Sequence, residues 1–253
     1  MLCFGSIDRK SRRLACAIFL TVSSAIGLSG CSSAFSAWVE TAQGFVKPSA
    51  PEAATAQLQP NFQYLRATVN GIPTLLVRGG SDLSLLDPKT NQPIPVELWY
   101  SGDGEVVRLR DGRIAGTSGI ITDWRSVSMT DVPQWQTALQ APQRYVRTRD
   151  VMPNYLYGLT DEVVVRAIDA PSQPDTLSGV SAQDLNWFEE SARPLDAKTD
   201  PLPPSRYAVN MRDGQNKVVY SEQCLSRQLC LTFQLWPAAT GFTTASAPPR
   251  DPS

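Results

Sequence analysis

The stretch YLRATVNGIPTLLVRGG, residues 64–80, decides the fold class of this 253-residue chain. Leu65, Ala67 and Val69 alternate with more polar neighbours, which is the period of a β-strand that buries one face. The tetrapeptide NGIP at 70–73 is typical of a tight turn, and TLLVRG predicts a second strand after it. The stretch therefore predicts an antiparallel hairpin.

The same pattern continues towards the C-terminus, where strand-like segments are separated by turn sequences such as SGDG and RDG. The further predicted strands are VELWY (96–100), EVVRLR (105–110), GRIAGT (112–117), YVRTRD (145–150), EVVVRAID (162–169), RYAVNM (206–211), NKVVYSEQ (216–223) and LCLTFQLW (229–236). The chain is therefore predicted to be mainly β, an antiparallel meander that forms a curved sheet, a sandwich or a half-barrel.

One or two short helices are expected to interrupt the meander. The first should begin at Asp131, whose carboxylate would cap it, and run through Trp135 to Leu139. The segment AQDLNWFEES (182–191) predicts a helical turn or two. Residues 192–205, with four prolines, predict a loop.

The N-terminus has the layout of a secretory signal. Residues 1–13 carry four basic groups and one acidic group, and residues 14–27 then form an apolar run. This run is shorter than the ~20 apolar residues that cross a bilayer as a helix. A permanent transmembrane anchor is therefore not expected here.

The apolar run ends in Leu28-Ser29-Gly30-Cys31, which resembles the lipobox of bacterial lipoproteins. The resemblance implies a diacylglycerol on the Cys31 thiol and cleavage just before it, and Ser32 favours delivery to the outer membrane. An ordinary signal peptide that ends at a cysteine by chance is the alternative. The predicted organisation is a signal peptide (1–30), a lipid-anchored tether with room for a short helix (31–60), a periplasmic β domain (61–240) and a disordered tail (241–253).

The cysteine and histidine content restricts the chemistry. Once residues 1–30 are removed and Cys31 is lipidated, Cys224 and Cys230 remain, and two thiols in an oxidising compartment are expected to pair. A redox or metal role is the alternative, although the spacing is not CxxC. The chain contains no histidine, which excludes Ser-His-Asp and Cys-His relays and histidine zinc sites. No metal or cofactor is predicted.

The charge balance argues against a nucleic-acid partner. Removal of residues 1–30 takes away four basic groups and one acidic group, so the net charge falls from −1 to −4. Nucleic-acid-binding domains are instead basic, because they must neutralise phosphates.

Four aromatic residues are candidates for a carbohydrate-facing patch, because the C–H faces of sugars pack on aromatic rings. These are Trp99, Trp124, Tyr155 and Tyr157. Packing within the core or at its edge is the alternative for each of them.

Two adjacent acidic pairs, Asp161-Glu162 and Glu189-Glu190, are the candidates for acid and base roles at a glycosidic bond. Sequence neighbours in a strand point to opposite faces, so they do not converge on one site. The pairs are predicted to be exposed surface charges, and no catalytic residue is proposed.

The two N-terminal strand-rich stretches, YLRATVNGIPTLLVRGG and VELWYSGDGEVVRLRDGRIAGTSGI, together resemble the GfcB/YjbF family of exopolysaccharide and group 4 capsule lipoproteins. MRDGQNKVVYSEQ (211–223) resembles that family's final hairpin. The resemblance covers residues 61–125 and 206–236 and rests on strand pattern and turn placement. It implies a non-catalytic outer-membrane lipoprotein that works beside a polysaccharide export channel and other periplasmic accessory proteins. It carries over one functional residue, the lipidated Cys31.

Two other classes of function remain open from the sequence. A histidine-free glycan-modifying enzyme would need carboxylates that converge in a cleft. A β carrier of lipid or lipoprotein would need a long apolar groove in place of a filled core.

Overall fold

The structure is a computed structural model that describes residues 58–238, except 70, 88, 173, 175, 197, 198 and 215. The predicted signal peptide, Cys31, most of the predicted tether and the predicted tail lie outside the described residues. Within the described ranges, no helix is long and apolar enough to span a membrane.

The described residues form twelve β-strands and one α-helix, together with 3-10 turns at Ala182–Asp184 and Arg212–Gly214. The strands are β1 (Tyr64–Val69), β2 (Ile72–Asp82), β3 (Val96–Tyr100), β4 (Val106–Arg110), β5 (Arg113–Ser118), β6 (Asp123–Thr130), β7 (Gln143–Met152), β8 (Leu156–Ile168), β9 (Asn186–Pro194), β10 (Ser205–Asn210), β11 (Lys217–Cys224) and β12 (Cys230–Trp236). The helix, α1 (Trp135–Gln140), lies between β6 and β7.

The strands make one antiparallel sheet that curls into a nearly closed barrel. Strands pair in sequence order except across β5 and β6, and β1 also pairs with β12. The two edges, β5 and β6, approach each other, because Thr117 Oγ1 donates to Asp123 Oδ1 and accepts from the Trp124 amide, both at 2.9 Å. Of the three predicted forms, the sheet is therefore nearest to the half-barrel.

The meander gives the barrel two distinct ends. β1 begins and β12 ends at the same one, where Tyr64 pairs with Trp236, and we call this the terminal end. The β2–β3, β4–β5, β6–β7, β8–β9 and β10–β11 connections lie there too, because alternate connections of an antiparallel meander fall on opposite ends. The remaining connections, from β1–β2 to β11–β12, lie at what we call the hairpin end.

Two apolar clusters fill the interior of the barrel. The first packs side chains of β1 to β5 and β12, including Trp99, against Trp124. The second packs Trp135 of α1 against Phe188 and Tyr207, with ring centroids 5.0 Å apart in both pairs. The predicted inward face of β1 is confirmed, because Leu65 and Ala67 of that strand belong to the first cluster.

The sequence does not predict β6 and β9. Half of the residues of β6 are exposed, two of them serines, and a register shift between Trp124 and Ser126 breaks its alternation. In β9, Trp187 and Phe188 are both buried, Phe188 in the second cluster and Trp187 in a third apolar cluster with Tyr220, so no two-residue period is visible. The predicted helical turn is correct only at Ala182–Asp184 and wrong for the rest of 182–191.

The predicted start of the helix is also wrong. α1 begins at Trp135 and is preceded by Gln134 in extended backbone. Asp131 has a φ of 57°, and its carboxylate accepts from Lys89 Nζ at 2.6 Å, so it does not cap the helix. The predicted proline loop begins at 195, because β9 extends to Pro194.

Candidate functional site

A cavity of about 640 Å³ opens at the terminal end of the barrel. Four connections of that end contribute to its mouth, with Ile94, Asp111, Val132 and Asn216. Its floor is made of Leu65, Leu109 and Phe233 of the first apolar cluster and of Leu235, which packs against that cluster. Ligand sites typically measure about 300–1,000 Å³ and combine apolar walls with a few polar groups. The cavity is therefore the candidate binding site.

Three charged side chains lie on one side of this cavity. Arg78 Nη2 lies 3.5 Å from Glu97 Oε1 and donates to Ser81 Oγ at 3.0 Å, which fixes the guanidinium. Burial lowers the pKa of Lys217, the Glu97 charge opposes this effect, and the Arg78 charge adds to it. This side therefore presents two cations around one carboxylate.

Asn216 adds a polar acceptor to the lining. Its Oδ1 is buried and has no hydrogen-bond partner among the described residues. A buried acceptor without a donor costs about 1–3 kcal/mol, so a ligand hydroxyl or amine that donates to it would be favoured.

The β4–β5 turn connects the mouth of the cavity to the barrel interior. Asp111 in this turn accepts from Arg113 Nη1 at 3.0 Å. Burial raises the pKa of Asp111, and the Arg113 charge opposes the rise. Gly112 has a φ of 78°, and a Cβ there would lie 2.6 Å from the Val218 side chain. Glycine therefore allows the turn to pack directly on β11.

Arg113 belongs to a polar cluster that crosses the interior. Its Nε donates to Glu190 Oε1 at 2.7 Å, and the hydroxyls of Tyr145 and Tyr207 donate to Glu190 Oε2 at 3.0 and 3.1 Å. Gln223 Nε2 completes the cluster by donating to the carbonyl of the β4–β5 turn at 2.8 Å. Because Arg113 and Glu190 are both 2% exposed, a substrate has no access to this carboxylate. The cluster instead joins the barrel walls and holds the turn at the cavity mouth.

The protonation states in this cluster follow from burial. Burial raises the pKa of Tyr145 and of Tyr207, and the nearby Glu190 charge raises both further, so the two hydroxyls remain donors. Burial also opposes the charge of Arg113, but the Glu190 carboxylate outweighs it and raises the pKa of the guanidinium. The guanidinium carbon lies 3.7 Å from the centroid of the Trp135 ring, a cation–π contact.

A second buried ionic cluster lies on β7 and β8. Arg147 Nη2 lies 3.1 Å from Asp161 Oδ2, and Arg149 Nη1 binds the same oxygen. Both guanidiniums lie over the Trp124 ring, at 4.8 and 5.1 Å from its centroid. Burial, followed by the charge of Arg147, lowers the pKa of Arg149 to about 10. Two buried cations therefore share one carboxylate.

These clusters correct the prediction for the acidic pairs. Each pair does split between two faces of a strand, as expected. Glu162 and Glu189 lie on the outer face, where they pair with exposed arginines. Asp161 and Glu190 are both 2% exposed, because they point into the barrel and neutralise its buried arginines. The prediction of exposed surface charges is therefore wrong for Asp161 and Glu190.

The structure separates the four candidate aromatic residues. Trp99 and Trp124 are 1% and 3% exposed, and their indole nitrogens donate to Glu97 and to the Leu225 carbonyl. The carbohydrate-facing prediction is wrong for these two, because their strand positions point into the core. Tyr155 and Tyr157 are 71% and 63% exposed, but they lie at the hairpin end, away from the cavity.

The predicted disulfide between Cys224 and Cys230 is present and joins the ends of β11 and β12. Between the two cysteines, Leu225 and Leu229 reach into the first apolar cluster. Among the residues that the structure describes, no group of three or more Cys, Asp or Glu side chains could hold a metal ion.

The sequence does not predict the cavity. Its polar residues include Arg78, Glu97, Asp111 and the adjacent Asn216 and Lys217, which come from four separate segments of the chain and form no motif. The sequence offers one indication of the cavity: Asp111, Asn216 and Lys217 lie in or next to the predicted turns between β4 and β5 and between β10 and β11.

Comparison with known proteins identifies a shared fold. No family model matches the chain, and no curated protein sequence matches it. Among solved structures, the hypothetical lipoprotein YmcC from Escherichia coli K12 is similar over 82% of this chain and 97% of its own, with a TM-score of 0.53 and 12% identity. The two proteins share a fold. At this identity the likeness extends to the fold alone.

Proposed function

We propose that this protein is an outer-membrane lipoprotein, anchored through Cys31 and facing the periplasm, that serves exopolysaccharide or capsule export as a non-catalytic accessory factor. In this role the cavity at the terminal end binds a segment of the polymer, beside the export channel and other accessory proteins.

The lipid anchor is supported by the lipobox-like Leu28-Ser29-Gly30-Cys31 and by the fold that the chain shares with a protein described as a lipoprotein. The polysaccharide role is supported by the resemblance of residues 61–125 and 206–236 to the GfcB/YjbF family. Acyl chains contribute about 0.8 kcal/mol per buried methylene, so a di- or triacylated terminus is held firmly at a membrane.

The observation that carries the binding role is the composition of the cavity. Its apolar floor suits the C–H faces of sugar rings, while Arg78 and Lys217 offer donors to hydroxyl and carboxylate groups. Asn216 Oδ1, which has no hydrogen-bond partner among the described residues, offers an acceptor to hydroxyl groups. The filled interior beyond this floor favours a short polymer segment over the long acyl chain that a lipid carrier would enclose.

The carboxylates favour binding over glycosidic chemistry. Glu97 and Asp111, the two that border the cavity, are paired with Arg78 and Arg113. A glycosidase needs two carboxyl groups that face one glycosidic bond, whereas each of these carboxylates makes an ion pair with an arginine.

Titration of polymer fragments into full-length protein carrying Cys31→Ser tests the binding role. Gln134→Trp places a large ring at the cavity mouth without removing a helix cap, because the Gln134 side chain makes no capping bond. Gln140→Trp, an exposed position at the other end of α1, is the matched control. We expect Gln134→Trp to weaken binding at least tenfold and Gln140→Trp to leave it unchanged.

Equal affinity for both variants would contradict the cavity as the binding site. Tight binding of a fluorescent fatty acid that Gln134→Trp abolishes, without any polymer binding, would favour the lipid carrier. Turnover of the polymer that stops with Glu97→Gln or Asp111→Asn in folded protein would favour the enzyme.

Palmitate labelling tests the anchor separately. Cys31→Ser should abolish the label and release the protein from the membrane or leave it unprocessed. Unchanged labelling and membrane partitioning would contradict the anchor.

A further inference from the structure

Two neighbouring connections at the hairpin end carry exposed apolar side chains and no charge. They are GIIT (119–122), between β5 and β6, and PNY (153–155), between β7 and β8, which continues into Leu156 and Tyr157. Ile121 is 82% exposed, and Tyr155 and Tyr157 are 71% and 63% exposed. Exposed apolar residues that lie side by side mark an interaction surface more often than isolated ones do.

The pairing of β6 with β7 places these connections together. Asp123 pairs with Met152, so GIIT precedes and PNY follows the same end of that ladder. Val151 pairs with Leu156, which adds a further exposed apolar side chain to the group. We call Ile121, Tyr155, Leu156 and Tyr157 the apolar tip.

We propose that the apolar tip inserts into the headgroup region of a lipid bilayer, as a second membrane contact beside the lipid anchor. Tyrosine is enriched at membrane interfaces, because its ring is apolar and its hydroxyl remains in contact with water. The aliphatic Ile121 and Leu156 beside the tyrosines provide side chains that enter the acyl region. Neither connection brings a charge of its own to the bilayer, and the acidic β3–β4 connection, whose Glu105 lies beside Gly119, would remain among the headgroups.

The position of the anchor allows this contact, and this step rests on the proposed lipidation of Cys31. Leu58, the first described residue, follows Cys31 by 27 residues, a length of chain that spans at most about 90 Å. The longest strand, β8, has 13 residues and a length of about 43 Å. The apolar tip can therefore reach the membrane although the chain enters the barrel at the opposite end.

A bilayer fits the apolar tip better than a glycan does. Sugar-binding aromatic platforms need several hydrogen-bonding groups beside the rings for the sugar hydroxyls, and in these two connections only Thr122 and Asn154 add polar side chains beside the tyrosine. The cavity, in contrast, combines apolar and hydrogen-bonding groups, which makes it the better glycan site.

Cosedimentation with vesicles of phosphatidylethanolamine and phosphatidylglycerol tests the proposal, with the mature chain from residue 31 carrying Cys31→Ser, so that neither the apolar signal run nor the acyl anchor contributes. Addition of Ile121→Ser and Tyr157→Ser removes two side chains of the apolar tip. The matched control adds Leu83→Ser and Leu85→Ser, two exposed leucines after β2 at the terminal end. Thermal unfolding of each protein verifies that it is folded.

We expect the Ile121→Ser, Tyr157→Ser protein to bind vesicles at least tenfold more weakly than its parent and the leucine control to bind as the parent does. Equal binding of all three proteins, or no vesicle binding by the parent, would overturn the proposal. The proposal would also be overturned if polymer fragments bound the parent at the apolar tip and no longer bound the Ile121→Ser, Tyr157→Ser protein. Because palmitate labelling and polymer binding at the cavity are measured independently, failure here is distinguishable from failure of the proposed function.

Discussion

Arg113 on β5 donates from Nε to Oε1 of Glu190 on β9 at 2.7 Å, and so links two strands that are not neighbours in the sheet. Both side chains are almost completely buried. Because two tyrosine hydroxyls bind the other carboxylate oxygen, both oxygens of Glu190 are hydrogen-bonded. The same arginine holds Asp111 at the mouth of the cavity. The pair therefore couples the stability of the barrel to the shape of the candidate site.

Glu190→Gln should lower the free energy of unfolding by about 3–5 kcal/mol, because it removes the buried counterion of Arg113 and leaves only the partly exposed Asp111 to balance its charge. Urea unfolding measures this loss. Glu189→Gln is the matched control on the outer face, where its partner Arg166 is 57% exposed, and it should cost at most about 1 kcal/mol. Equal losses for the two variants would contradict the structural role of the pair.

The cluster around Asp161 predicts an asymmetry. Asp161→Asn leaves Arg147 and Arg149 as two buried cations and should cost about 3–5 kcal/mol of unfolding free energy. Arg149→Met keeps the Arg147–Asp161 pair and removes a guanidinium whose Nε is buried with no hydrogen-bond partner among the described residues. Arg149→Met should therefore change stability by less than about 1 kcal/mol. Chemical denaturation of both variants checks the order, and a larger loss for Arg149→Met would refute it.

Removal of the disulfide at the hairpin end should lower the stability of the folded chain. Conversion of Cys224 and Cys230 to alanine should lower the free energy of unfolding by about 2 kcal/mol, the loop-entropy value for a ring of this size. Unfolding of the parent with and without reductant gives a second measure of the same difference. Freely alkylated thiols in protein taken from the periplasm would contradict the pairing.

Asp111 predicts a dependence of stability on pH. Burial raises its pKa from the ordinary 3.8, so the folded state holds this proton at a higher pH than the unfolded state does. The contribution of Asp111 to stability therefore falls as the pH rises through the interval between these two pKa values. Asp111→Asn removes this contribution. The stability of the variant relative to the parent should therefore rise as the pH is raised from about 3.5 to about 7. A constant difference across that interval would show that the carboxyl is not perturbed.

Much of the fold was predictable because its signals are local. The alternation in β1 and in β12 and the glycine-containing turns specify consecutive hairpins, and consecutive hairpins make a meander. The two missed strands lack that signal: β6 is polar and has a register shift, and β9 is buried on both sides. Closure of the barrel depends on contacts such as Thr117 with Asp123, which alternation does not encode.

The candidate site was not predictable, because it depends on which distant residues the barrel brings together. Glu190 resembles a surface acid in sequence and becomes a core residue only because Arg113 lies opposite it. The same holds for Asp161 and its two arginines. The pairing of Cys224 with Cys230 was predictable, since only compartment and residue count were needed.

Surface polymer in cells that lack this protein tests the central claim most directly. We predict that deletion reduces the exported polymer, and that the parent chain, Gln140→Trp and the outer-face changes Glu162→Gln and Glu189→Gln restore it. Cys31→Ser and Gln134→Trp, produced at equal abundance, should not restore it. Normal surface polymer in the deletion strain would contradict the account.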